Sequence, residues 1–96
     1  MANLDALICH LRALNPVLEE RWGARVVGVF GSVARGDDTP DSDLDLLMEF
    51  HRPIGLAFVH LADFLECQCG RRVDLASAEY LRPWFRDAIT DELRDV

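Results

Sequence analysis

The chain has 96 residues, half of them apolar and 28% charged, with 17 acidic against 10 basic residues for a formal net charge of −7. That balance excludes a disordered or fibrous polymer and describes one domain over residues 1–96 that can bury a core. A pI of about 4.7 without a basic stripe excludes the counterion-release drive behind non-specific nucleic-acid binding, so no direct nucleic-acid partner is expected and any phosphate must be met by local devices.

No run approaches the roughly 18 apolar residues of a membrane span, and residues 1–6 lack the basic region of an export signal. A cytoplasmic protein with no membrane partner is the expectation. Cys9, Cys67 and Cys69 make an odd count, which suits a reducing compartment better than a disulfide framework.

In chain order, Leu4, Leu7, Ile8, Leu11, Leu14 and Leu18 recur at helical spacing, with Asn15-Pro16 as an interruption and new cap, and Gly23 as the stop. Residues 25–30 read as a short buried strand. Residues 31–42 hold Gly, Pro, Ser, Thr and three aspartates, which is loop chemistry with at most one helical turn at 32–35. Residues 44–50 form a second strand. A stripe of Ile54, Phe58, Leu61, Ala62 and Leu65 predicts a helix that ends at Gly70. Residues 72–76 make a third strand. Ser77 is a candidate cap for a last helical region through Leu81, Phe85, Ala88, Ile89 and Leu93, split by Pro83. The order α-β-turn-β-α-β-α predicts an α/β fold with one small three-stranded mixed sheet and flanking helices.

Three features in this order carry chemistry. Gly31-Ser32 follows the first strand directly, where glycine lets a phosphate approach the backbone and the serine hydroxyl can donate to it. Asp43 and Asp45 are two residues apart on one strand, so their side chains leave the same face about 6.5 Å apart along the chain. Beside the apolar run Leu44, Leu46, Leu47 and Met48, two such carboxylates repel unless a cation neutralises them. Oxygen-only ligation favours a hard ion, Mg²⁺ or Mn²⁺. Asp74 offers a third carboxylate from another strand. Three acids and a Gly-Ser turn suit two-metal phosphoryl or nucleotidyl transfer.

Plainer readings stand beside these. Arg35 either reaches a phosphate or closes an ion pair in its acidic loop, and Asp74 could pair with Arg71 or Arg72. Asp41-Ser-Asp-Leu-Asp fails as a calcium loop, because Leu46 stands where the sharp turn needs glycine and Arg52 where a bidentate glutamate belongs. Cys67-Gln-Cys69 beside a histidine matches no standard zinc spacing. Phe85 reads as core, whereas Trp84 is compatible with core or a partner surface.

Gly31-Ser32, ten intervening residues and then Asp43-Leu44-Asp45 resemble the Gly-Ser…Asp-x-Asp signature of the DNA polymerase beta-like nucleotidyltransferase superfamily. The longer string from Phe30 to Leu47, with Pro53-Ile-Gly-Leu and Arg72-Val-Asp-Leu, is similar to its small prokaryotic branch, the minimal nucleotidyltransferases. The resemblance implies the polymerase beta-like core, with Asp43, Asp45 and Asp74 as the metal-binding catalytic acids and Gly31, Ser32 and Arg35 at the nucleotide. It further implies two Mg²⁺ ions, ATP as donor, and an antitoxin that moves AMP to a tyrosine hydroxyl of a cognate HEPN-domain RNase toxin within a hetero-oligomer. The rival is a non-catalytic antitoxin whose acidic surface masks the toxin sterically.

Overall fold

The computed structural model describes residues 4–96. The chain runs α1 (Leu4–Trp22), β1 (Ala24–Phe30), α2 (Gly31–Arg35), β2 (Leu44–Phe50), α3 (Ala57–Cys69), β3 (Val73–Ser77), a 3₁₀ turn (Ala78–Tyr80), α4 (Pro83–Thr90) and β4 (Arg94–Asp95). One mixed sheet has the order β3-β2-β1-β4, with β2 and β3 parallel and the other neighbours antiparallel. Among the described residues four strands thus replace the three expected, because the chain leaves its last helix early enough for residues 94–95 to pair with Val29 and Gly28.

The two sheet faces do different work. Ala24, Val26 and Val29 of β1 and Leu44, Leu46 and Met48 of β2 pack under α1 and α3, whose Ile8, Leu11, Leu18, Trp22, Leu61 and Leu65 complete the main core. The opposite face carries Phe30 and Leu47 against Ile89 of α4, with Phe85, Leu81 and Leu93 around them. Strict alternation would place Val26, Gly28 and Phe30 on one face. Instead, the β1–β2 register shifts between Val26 and Gly28, a bulge that turns Val29 into the main core and Phe30 to the other side. Gly28 lies close under Leu93, whose Cδ1 would stand 2.6 Å from a Cβ added there, so a larger residue would push that side chain aside.

Helix α1 passes through Pro16 without breaking, because Leu11 and Leu18 on either side of it lie fully buried in one core and hold the helix together despite the missing donor. Asn15 is therefore a bridge and not a cap. Its Nδ2 donates to Val26 O at 3.1 Å and its Oδ1 accepts Val26 N–H at 2.9 Å, satisfying backbone groups that the short β4 does not reach. Pro83 opens α4 at its first turn instead of splitting it, where proline's missing N–H is no loss. Ser77 ends β3 without capping anything through its side chain. Trp22 is buried and Trp84 exposed, the latter edge-on to Phe85.

Candidate active site

Asp45 belongs to β2 and lies opposite Phe30 of β1 on one side and Asp74 of β3 on the other. Register partners share a face, so both carboxylates project from the side opposite the main core. Asp43 precedes β2 by one residue and is two positions from Asp45. The three acids expected from sequence are therefore brought to one corner of one face by the parallel β2–β3 pairing.

Gly31 comes directly after β1 with φ +76°, and a Cβ there would overlap Asp45 Oδ2. Only glycine satisfies both the backbone angle and the approach of that carboxylate. Ser32 follows in α2, half-buried, and the turn ends at Gly36, whose N–H reaches Ser32 O at 2.9 Å. The loop from there to Asp43 is pinned by Arg71, which donates to Asp38 Oδ2 at 3.2 Å and Thr39 O at 2.8 Å.

The cations take the ion-pair reading. Arg35 bonds Glu92 at 2.9 Å and Asp37 at 3.2 Å, and Arg72 stands 3.4 Å from Asp43. Asp74 pairs with neither Arg71 nor Arg72, whose acidic partners are Asp38 and Asp43. Desolvation raises the Asp45 carboxyl above its ordinary range, and the charges of Asp74, Asp43 and Glu92 push it further up, against a smaller opposing pull from Arg35. This is a corner where ionised acids are uncomfortable alone.

Among the described residues, no three His, Cys, Asp or Glu side chains form a ready metal cage. Mg²⁺ does not ask for one: it commonly uses one or two carboxylates, substrate phosphates and water. The all-oxygen set of Asp43, Asp45 and Asp74 and the unfavourable ionisation of Asp45 fit such an ion. Sequence reasoning missed Glu92, which accepts Gly31 N–H at 3.0 Å. Its position at the end of an apolar helical stripe gave no signal, since the contact depends on the turn after α4.

Residues 11–96 match the nucleotidyltransferase domain family, and the chain belongs to that family of enzymes. Among its relatives, the protein adenylyltransferase MntA of Thermococcus cleftensis is 37% identical over 94 residues, covering 97% of this chain and 95% of that protein. A Methanocaldococcus jannaschii protein provisionally named a protein adenylyltransferase is 34% identical over 85 residues, 86% of this chain and 87% of its own. A solved structure provisionally described as a minimal nucleotidyltransferase superposes with TM-score 0.77 at 35% identity, covering 99% of this chain and 97% of that one. A crystal structure of a toxin–antitoxin with AMP-PNP gives TM-score 0.68 at 20% identity, over 98% of this chain and 72% of the other, a likeness of fold.

Proposed function

We propose that the chain is a protein adenylyltransferase that moves AMP from ATP to a hydroxyl of a partner toxin and so acts as its antitoxin, the toxin being a HEPN-domain RNase and the acceptor a tyrosine. The observation that carries the chemistry is the meeting of Asp45 with Asp74 as register partners, with Asp43 two residues away and Gly31 pressed against Asp45. The similarity to MntA supports adenylyl transfer to a protein.

In this reading Asp43 and Asp45 hold two Mg²⁺ ions and Asp74 contributes to one of them. Bound there, Mg²⁺ would supply Lewis-acid charge to the transferred phosphoryl group and the attacking hydroxyl. The chain's own residues do the rest. Gly31 clears space at Asp45, Ser32 offers a hydroxyl donor to the triphosphate, and Arg35, one helical turn further on, offers its guanidinium to a phosphate. In this reading Asp74, exposed on its strand, takes the proton of the acceptor hydroxyl as its oxygen bonds to the α-phosphorus and pyrophosphate leaves. In this reading the acceptor belongs to a separate macromolecule, the partner toxin, within a hetero-oligomer.

Incubation with the genomically adjacent partner, Mg²⁺ and each nucleoside triphosphate in turn, followed by the partner's intact mass, tests this. An adenylyl increment with ATP that is lost in the Asp43→Asn/Asp45→Asn double variant is expected. A silenced partner without any increment would replace the reading with steric masking.

A further inference from the structure

We propose that Glu92 is a positioning residue that sets the Gly-Ser turn and Arg35 for the nucleotide's phosphates. The inference rests on the nucleotide-transfer reading above and concerns a residue outside the three acids. Its carboxylate is shared between two donors distant in sequence: Oε1 accepts Gly31 N–H at 3.0 Å and Oε2 accepts Arg35 Nη1 at 2.9 Å.

The segment that carries Glu92 is itself anchored. The N–H groups of Glu92 and Leu93 bond Ile89 O at 3.1 and 2.9 Å. Leu93 closes over Gly28, and Arg94 and Asp95 pair with Val29 and Gly28. Glu92 is the sheltered member of the ion pair, its side chain 22% exposed against 47% for Arg35.

Two consequences follow for the turn. Gly31 has the positive φ that fixes where Ser32 begins, and an acceptor on its N–H holds the Phe30–Gly31 peptide plane in one orientation. Arg35, a long flexible side chain, is held on one side by Glu92 and on the other by Asp37 at 3.2 Å, so less rotamer freedom is lost when a phosphate arrives. A charge-assisted bridge across the turn and the arginine is thus built by the C-terminal segment and not by the loop that bears the motif.

The test uses the full chain with Mg²⁺ and a non-hydrolysable ATP analogue, titrated calorimetrically into wild type, Glu92→Gln, Glu92→Ala, Arg35→Gln and the Arg35→Gln/Glu92→Gln double variant. The dissociation constant is expected to rise about tenfold in Glu92→Ala and less in Glu92→Gln, which keeps an acceptor for Gly31 N–H. In the Arg35→Gln background the Glu92→Gln change should have less than about a twofold effect, the mark of a shared pathway. The Gly31 amide resonance should move in both Glu92 variants, and steady-state kinetics should place the loss in KM rather than kcat.

Unchanged affinity in both Glu92 variants, with only a lower melting temperature, would overturn the proposal in favour of a purely structural contact. Tighter binding in Glu92→Gln would overturn it in favour of a carboxylate that competes with phosphate. If Glu92→Ala does not fold, Glu92→Gln and its Gly31 amide decide. Wild type that binds no analogue would bring down the nucleotide reading itself, and this proposal with it.

Discussion

Replacing Asp45 with Asn should make the protein more stable while destroying its chemistry. Asp45 and Asp74 are register partners on adjacent parallel strands, about 5 Å apart. Between an effective dielectric of about 20 and that of water, two like charges at that distance repel by about 1–3 kcal/mol. Asp74 is exposed, so the lower end applies, and about 1 kcal/mol corresponds to about 4–8 °C in melting temperature for a chain of this size.

The pH dependence has a definite sign. Burial and its acidic neighbours raise Asp45 above the ordinary 3.8, so the fold favours the protonated form. The penalty is absent below pH 3.8 and fully present once the pH exceeds the raised folded value. Wild type and Asp45→Asn should therefore melt together in acid and diverge at neutral pH. Circular dichroism melts in chelator read this directly, and added Mg²⁺ should raise wild type while leaving the variant unmoved. An Asn variant that melts no higher than wild type at neutral pH without divalent ions would refute the claim that these carboxylates conflict.

Three further outcomes are expected. Gly31→Ala forces a Cβ into the Asp45 carboxylate at positive φ, and urea unfolding should show a loss of at least about 1–2 kcal/mol together with lost transfer. Asn15→Ala strands both backbone groups of Val26 and should cost about 1–3 kcal/mol in the same assay, with kcat/KM of the folded protein unchanged. His51 is raised above 6.5 by its hydrogen bond to Glu49 and by the charge of Glu19. Its stabilising contribution is full below pH 6.5 and lost as pH rises through the folded value, so an NMR titration should place its midpoint above 6.5 and His51→Gln should flatten that limb of the melting curve.

The motif, the order of the main elements and the apolar faces of α1 and α3 were legible because they are local: spacing, periodicity and turn residues. What escaped depends on meetings between distant segments. Nothing around Val26-Val27-Gly28 announces the bulge, which goes with Leu93 lying over Gly28 and Phe30 facing Ile89. Pro16 reads as a break, yet burial on both sides outweighs one missing hydrogen bond. The last strand was hidden inside a helical stripe: Leu93 keeps helical spacing from Ile89 although the helix has already ended at Thr90. Of the residues at the site, the aspartates were readable as a pair with a distant third, whereas Glu92 became visible only when the C-terminal segment was seen folded against Gly31.

The most direct measurement of the central claim follows two isotopic labels in parallel, one at the α- and one at the γ-phosphate of ATP, with the adjacent partner protein and Mg²⁺. If Asp43, Asp45 and Asp74 form a nucleotidyl-transfer site, the α label enters the partner, the γ label leaves as pyrophosphate, and both events stop in Asp43→Asn and in Asp45→Asn. Transfer of the γ label to the partner, or α-label transfer that persists in both variants, would contradict the account.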